Sequence, residues 1–211
     1  VDGDEAKLQP LLEPELRAGN DEFVRDRAGE EGVERVLARL SAEDRDVLTG
    51  LVLHVAAYPM ELNLRLDDAI AQELSPDNPD QVFLDMGRAS ADVNLTGPHK
   101  AYVRVGDPHH LLGQAPNIYA AYYTVGHRTY EKTGKRSGIL RTFDAESVTR
   151  TDCLTVVGWY IRAIEICGGK DVEVVETQCR ASGAPHCGCS TTFPSTSATR
   201  MPRSGPTISS P

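Results

Sequence analysis

The sequence contains no apolar run approaching the roughly 18 residues needed to cross a bilayer, so no membrane span is expected. It is also short of positive charge. Lys and Arg number 22 against 31 Asp and Glu, a net charge of -9. A surface that tracks phosphates needs the opposite sign, so nucleic-acid binding by this chain alone is not expected. The imbalance is concentrated at the start, where residues 1–50 hold 14 acidic and 7 basic side chains. Such a helical surface is first of all a solvated face. No G-x-S-x-G elbow occurs, and no cysteine has a histidine and an acid in an activating sequence context, so nucleophilic catalysis finds no support. The nearest glycine cluster, Gly134 to Gly138, separates two strand-like runs and so does not read as a phosphate-cradling loop. The start, VDGDEAKLQP, lacks the charged-then-apolar form of a signal peptide.

Cysteine is scarce as well. Five residues are an odd number and too few for a disulfide scaffold. With no export signal, a cytoplasmic, reducing compartment is expected, where clustered cysteines serve as metal ligands or redox groups before they serve as bridges. Three of the five fall in one stretch, ETQCRASGAPHCGCS, residues 176–190.

What is present is a mixed pattern. The first 50 residues read as helical, with Val33, Val36, Leu37 and Leu40 at helical spacing and Gly29 and Gly32 dividing the run into short helices. Ser41 opens a second capped start. LVLHVAAYP, residues 51–59, reads as a strand or a buried helix end. Pro59 suits the first turn of a helix with Leu62, Leu66, Ala69, Ile70 and Leu74 on one stripe. Asn78, Pro79 and Gln81 carry the signature of a capped helix start, and the apolar stripe of Val82, Met86, Ala89 and Val93 runs on to Gly97-Pro98.

A hairpin with TGKRSG at its turn follows. Next comes a helix from about Val148 to Ile166, with Leu154, Val157, Ile161 and Ile164 on one face and Gly168-Gly169 as its stop. DVEVVETQC and CGCSTTF then read as a second hairpin around SGAPH. This order predicts an α+β fold: N-terminal helices followed by a mixed helix and antiparallel-sheet domain. The expected divisions are an acidic helical segment over 1–54, a ligand and metal domain over 55–193, and a disordered tail over 194–211.

Cys153, Glu176, Cys179 and Cys187 form the candidate metal site. Three thiolates and a carboxylate satisfy the tetrahedral preference of zinc and close its coordination shell, which implies a structural metal. Cys179 and Cys187 flank one turn. Glu176 and Cys179 are three apart and would face opposite ways on a regular strand, so a bulge near Gln178 is required. Cys153 would reach the hairpin from the preceding helix. His186 and Cys189 are possible substitutes, and a Cys179–Cys187 disulfide is the alternative chemistry. Packing alone accounts for Cys167 and Cys189. His109-His110 begins a helix or a polar loop, and makes a weak metal site, since adjacent histidines point apart and no third ligand is at hand.

The segment VEVVETQCRASGAPHCGCSTTF resembles the 4-vinyl reductase domain, whose hallmark is a glutamate, a cysteine, a small-residue turn and a second cysteine. In the phenol-sensing activators that carry this domain, a cysteine, a glutamate and two further cysteines hold zinc. The spacing Cys153-x22-Glu176-x2-Cys179-x7-Cys187 is similar to theirs. YPMELNLRLDDAI, the helix ending DMGRASAD and the hairpin-helix-hairpin finish also resemble a myxobacterial family of uncharacterised paralogues. These resemblances imply a sensor fold, often dimeric, with an apolar cavity near the zinc. Tyr119, Tyr122, Tyr123, Phe143 and Trp159 are the expected lining.

The expected function is therefore a non-catalytic, zinc-stabilised sensory or regulatory domain, binding a small apolar ligand, a second copy or a protein partner. A ligand-free interaction scaffold and an accessory to tetrapyrrole-type reduction are the alternatives.

Overall fold

The computed structural model describes residues 9–10, 14–49, 57–58, 60–146 and 149–196. Most of the 51–59 stretch, the Val148 end of the expected helix and the tail beyond 196 lie outside the described residues. The chain begins with β1 (Gln9–Pro10) and then α1 (Pro14–Arg39), which kinks at Gly29, where φ is 67°. Only glycine adopts that conformation without strain, so the division expected at this residue has a backbone cause. After α2 (Ala42–Thr49), β2 (Ala57–Tyr58) pairs antiparallel with β1.

Two long helices follow, α3 (Met60–Leu74) and α4 (Pro79–Thr96). Asn78 stands at the α4 cap position but makes no side-chain capping bond. Gln81 reaches forward to Asp85 at 2.9 Å instead of back to the cap. Pro79 and the burial of Val82 and Met86 are enough to set the helix.

Two short helices, α5 (Pro108–Leu112) and α6 (Ala115–Tyr122), lead into a hairpin of β3 (His127–Gly134) and β4 (Ser137–Phe143). The helix α7 (Arg150–Ile166) is capped by Thr149, whose hydroxyl accepts from the Asp152 amide. The chain then forms β5 (Gly169–Lys170), β6 (Glu173–Gln178), β7 (Cys187–Thr192) and β8 (Ser195–Thr196). The main sheet is antiparallel with order β3-β4-β7-β6. This is the expected α+β architecture. Ser195 and Thr196, within the expected tail, pair with Lys170 and Gly169.

Three apolar groupings hold the layers. Phe23, Val36 and Leu48 join Leu62, Ile70 and Phe83 in one core, so burial is continuous across the division expected at 54/55. Leu140, Val174 and Phe193 pack with Val157, Tyr160 and Ile164 between the sheet and α7. Ala91, Leu95, Leu111, Ile118 and Ala163 form the third.

The α4–α7 contact is unusually close. A Cβ on Gly87 would lie 2.0 Å from the Thr155 carbonyl oxygen, and one on Gly158 would lie 2.0 Å from that of Leu84. Two glycines facing each other's backbone let the helices cross without side chains between them. Arg88 to Glu165 (2.8 Å) and Arg162 to Asp92 (2.9 Å) clamp the same crossing at its rim. The helix α7 is thus fixed on one side by α4 and on the other by the sheet.

Candidate functional site

Four side chains converge where the start of α7 meets the β6–β7 turn. One ligating atom each from Cys153, Glu176, Cys179 and Cys187 lies within 4.8 Å of the others. The Cys153 sulfur stands 3.6 Å from that of Cys179 and 3.8 Å from that of Cys187. Those distances are far beyond the roughly 2.05 Å of a disulfide, and all five cysteines are free.

The strand geometry explains the convergence. Register with β7 shifts between Glu176 and Gln178, which is the irregularity that residues three apart need in order to share a side. The turn itself closes through Gly183, at φ 87°. Cys153 comes in from the first turns of α7.

The electrostatics of the cluster are unfavourable without a cation. Burial, a hydrogen bond with Glu176 and the neighbouring cysteines all push the Cys153 thiol upward. Glu176 Oε1 is buried with no hydrogen-bond partner, and an unpaired buried acceptor is costly. Two features offset the negative charge: the Arg180 amide donates to the Cys187 sulfur at 3.4 Å, and Arg150 feels both Glu176 and Cys179. The donor set can hold a metal ion.

The two candidate substitutes lie elsewhere. Cys189 is opposite Glu176 in register but belongs to the sheet–α7 core. Burial, above all, pushes its thiol up to about 12. His186 stacks against Phe143 at 4.9 Å, with its Nε2 buried and unpaired. His109 is engaged away from any metal, its Nε2 facing the Lys135 carbonyl at 2.9 Å.

A cavity of about 130 Å³ lies beside the cluster, walled by α3, α4, α6, β3 and α7. Tyr119, Tyr122, Tyr123 and Trp159 are among its wall residues. Phe143, the fifth residue of the expected lining, is not among them. Thr142 faces inward on β4, alternate residues point to opposite faces, and Phe143 therefore stacks outside on His127 and His186.

Three charged wall residues, Asp67, Asp152 and Arg128, are not among the residues expected from the sequence. Asp67 was legible as an acid on the buried stripe of α3. Asp152 lies in the first turn of α7 and Arg128 on β3, and no local pattern sets either apart. Arg128 donates through Nε to Thr142 at 2.8 Å and through a terminal nitrogen to the Tyr160 hydroxyl at 3.2 Å. Burial opposes its charge, but Tyr160, then Tyr123 and Asp152, favour it, and the guanidinium is held above its ordinary range. Burial raises Asp67 well above the usual carboxylate value, with help from Asp152 and Asp68. Burial raises Asp152 also, with Arg128 opposing. A smaller cleft continues from Arg128 and Asp152 to Cys153, Glu176 and Cys187, so the cavity and the sulfur cluster adjoin.

The model of a family described as "Protein of unknown function (DUF2378)" matches residues 23–184. No curated protein matches the chain. Among solved structures, an H-NOX protein from S. oneidensis in the Fe(II)NO ligation state is 14% identical with a TM-score of 0.68, covering 87% of this chain and 100% of its own. The A71G mutant of an Fe(II) unliganded H-NOX protein from K. algicida is 12% identical, with a TM-score of 0.64 and coverage of 86% and 96%. A structure described as probing the function of heme distortion in the H-NOX family is 12% identical, with a TM-score of 0.62 and coverage of 86% and 95%. At these identities the likeness is one of fold.

Proposed function

The chain belongs to the family described as protein of unknown function (DUF2378), and we propose that it is a non-catalytic, small-molecule-binding sensory domain. A structural zinc ion would hold its last helix to its sheet. The observation that carries this reading is the shared use of α7, which supplies one residue to the four-atom cluster and five to the cavity wall. The likeness in fold to an H-NOX protein seen in an Fe(II)NO ligation state supports it.

The choice of zinc rests on the donors and their spacing. A tetrahedron with zinc–sulfur bonds near 2.3 Å has edges of about 3.8 Å, and the sulfur separations here are 3.6 and 3.8 Å. Three thiolates and a carboxylate leave no open position, which suits a structural metal and not a hydrolytic one. Five free cysteines suit a reducing, cytoplasmic setting.

The heme named for a neighbouring structure does not fit these residues. The cavity, at about 130 Å³, is of the size that holds a single benzene-like ring, not a four-pyrrole macrocycle. Its wall carries neither histidine nor cysteine, and Met86 has no histidine to act with as a second axial ligand. Burial raises the Tyr119 and Tyr123 hydroxyls, which disfavours the phenolate that an iron would need. His99 is buried with Nε2 unpaired, yet it is not part of the wall and meets Tyr122 edge-on at 5.4 Å.

As a sensor, the chain would work through α7. A ligand seated against Asp152, Val156 and Trp159 presses on a helix that α4 and the zinc hold at fixed points, and the helical N-terminal layer passes the change to a partner or a second copy. Native mass spectrometry of the full chain tests the reading. One zinc per chain and a small molecule retained under gentle conditions are expected. A bare chain that stays folded and takes up neither would refute it.

A further inference from the structure

Two carboxyls and one guanidinium share the cavity wall, and several of the donors around them are already engaged. Trp159 Nε1 is spent on Asn94 Oδ1 at 3.3 Å, and the Tyr119 hydroxyl on the Val125 carbonyl at 2.8 Å. Two of the Arg128 nitrogens are committed to Thr142 and Tyr160. On the acceptor side, Asp67 is only 5% exposed, and its sole hydrogen bond among the described residues is a long one, 3.4 Å from Asn63 to Oδ2. The Asp152 carboxylate accepts no side-chain hydrogen bond among the described residues; its amide donates to Thr149 and its carbonyl accepts from Thr155. Two carboxyls therefore face one guanidinium across a small space, and aromatic rings form much of the remaining wall.

We propose that the cavity binds a small primary amine built on a single ring, its ammonium set at Asp67 and Asp152 and its ring against the Tyr119, Tyr123 and Trp159 wall. This rests on the reading of the cavity as a ligand site and names the chemical class of the ligand. Three features select the class. The volume of about 130 Å³ admits one six-membered ring and a short arm. An ammonium offers three donors and no acceptor, the complement of two under-bonded carboxyls. One positive charge balances the excess of two acids over one arginine, and aromatic faces favour a desolvated cation. In the ligand-free chain, burial keeps Asp67 toward its neutral form, and the ammonium supplies the missing counter-charge.

Titration calorimetry of the full, metal-containing chain with benzylamine, benzyl alcohol and benzoate tests the assignment. Benzylamine is expected to bind at least about ten-fold more tightly than benzyl alcohol, a difference of roughly 1.4 kcal/mol, with benzoate not binding. Asp67→Asn should bring the affinity for benzylamine down to about that for benzyl alcohol; a preference of about ten-fold kept in this variant would overturn the placement of the ammonium at Asp67. If benzyl alcohol or benzoate binds as well as benzylamine, the amine assignment is overturned and the cavity stands as a site for another class. If none of the three binds, both the assignment and the reading of the cavity as a ligand site are overturned.

Discussion

Asp152 and Cys153 are consecutive on α7, yet the first lines the cavity and the sulfur of the second belongs to the four-residue cluster. Neighbours on a helix point about 100° apart, so one turn of one helix serves two sites at once. Any movement of this turn is felt by both, and this gives a sensor a short route from ligand to scaffold.

Removing a cluster ligand should uncouple that turn from the sheet. Cys179→Ser is expected to lose bound metal and to lower the melting temperature together. Structural zinc contributes on the order of 10 kcal/mol in zinc-finger peptides, so the fall should exceed that of an ordinary core substitution. Cys189→Ala, outside the cluster, should cost about 1–2 kcal/mol through lost packing and leave the metal content intact. Elemental analysis and thermal melts of both variants check this, and metal loss from the Cys189 variant would redraw the ligand set.

The α4–α7 crossing should not tolerate a methyl group. In Gly158→Ala the new Cβ would fall 2.0 Å from the Leu84 carbonyl oxygen, a backbone atom that cannot swing aside. A destabilisation of about 1–3 kcal/mol is expected for such overpacking, a drop of roughly 2–4 °C per kcal/mol in a chain of this size. Gly183→Ala, with nothing near its Cβ but a φ of 87°, should instead strain only the cluster turn. Thermal denaturation compares the two.

Asp67 should make the ligand-free chain less stable as pH rises. Its folded value lies above the ordinary 3.8 because burial penalises the charge, so the folded state holds the proton more tightly than the unfolded state. Stability is then lost as pH climbs from the unfolded value through the folded one. Asp67→Asn is expected to melt higher than the parent at neutral pH, with the gap closing toward pH 4. A pH series of melts reads this directly; an equal gap at all pH values would contradict it.

Two other acids carry the opposite sign. Arg65 grips Asp44 with bonds of 2.8 and 2.7 Å, and Arg35 with Arg39 holds Glu73. These hydrogen bonds hold both carboxyls below their ordinary values. Their contribution is present above the unfolded carboxylate range and disappears as pH falls through the folded values. Arg65→Met should cost about 1–3 kcal/mol at pH 7, with a smaller difference in acid, as measured by urea denaturation at the two pH values.

Much of this was legible in the sequence because it depends on local rules. Gly29 divides α1, Gly168 ends α7, and Lys135-Arg136 forms the turn of the first hairpin. The bulge after Glu176 followed from requiring two residues three apart on a strand to meet. The Asn78 cap failed because a capping signature states which bonds are available, not which ones the tertiary setting selects. Phe143 lies on the outer face of β4 because strand parity, not proximity in sequence, decides which face a residue serves. The charged part of the cavity was hidden for another reason. Asp67, Arg128 and Asp152 come from three elements far apart in the chain, and nothing local marks them as neighbours.

The most direct test is the zinc content of the wild-type chain, measured by elemental analysis before and after exhaustive chelation, with a melt taken on each sample. One equivalent of zinc, lost on chelation with a large drop in melting temperature and regained with the metal, is predicted. A chain that carries no zinc when prepared with the metal present, and melts at the same temperature after chelation, would contradict the account.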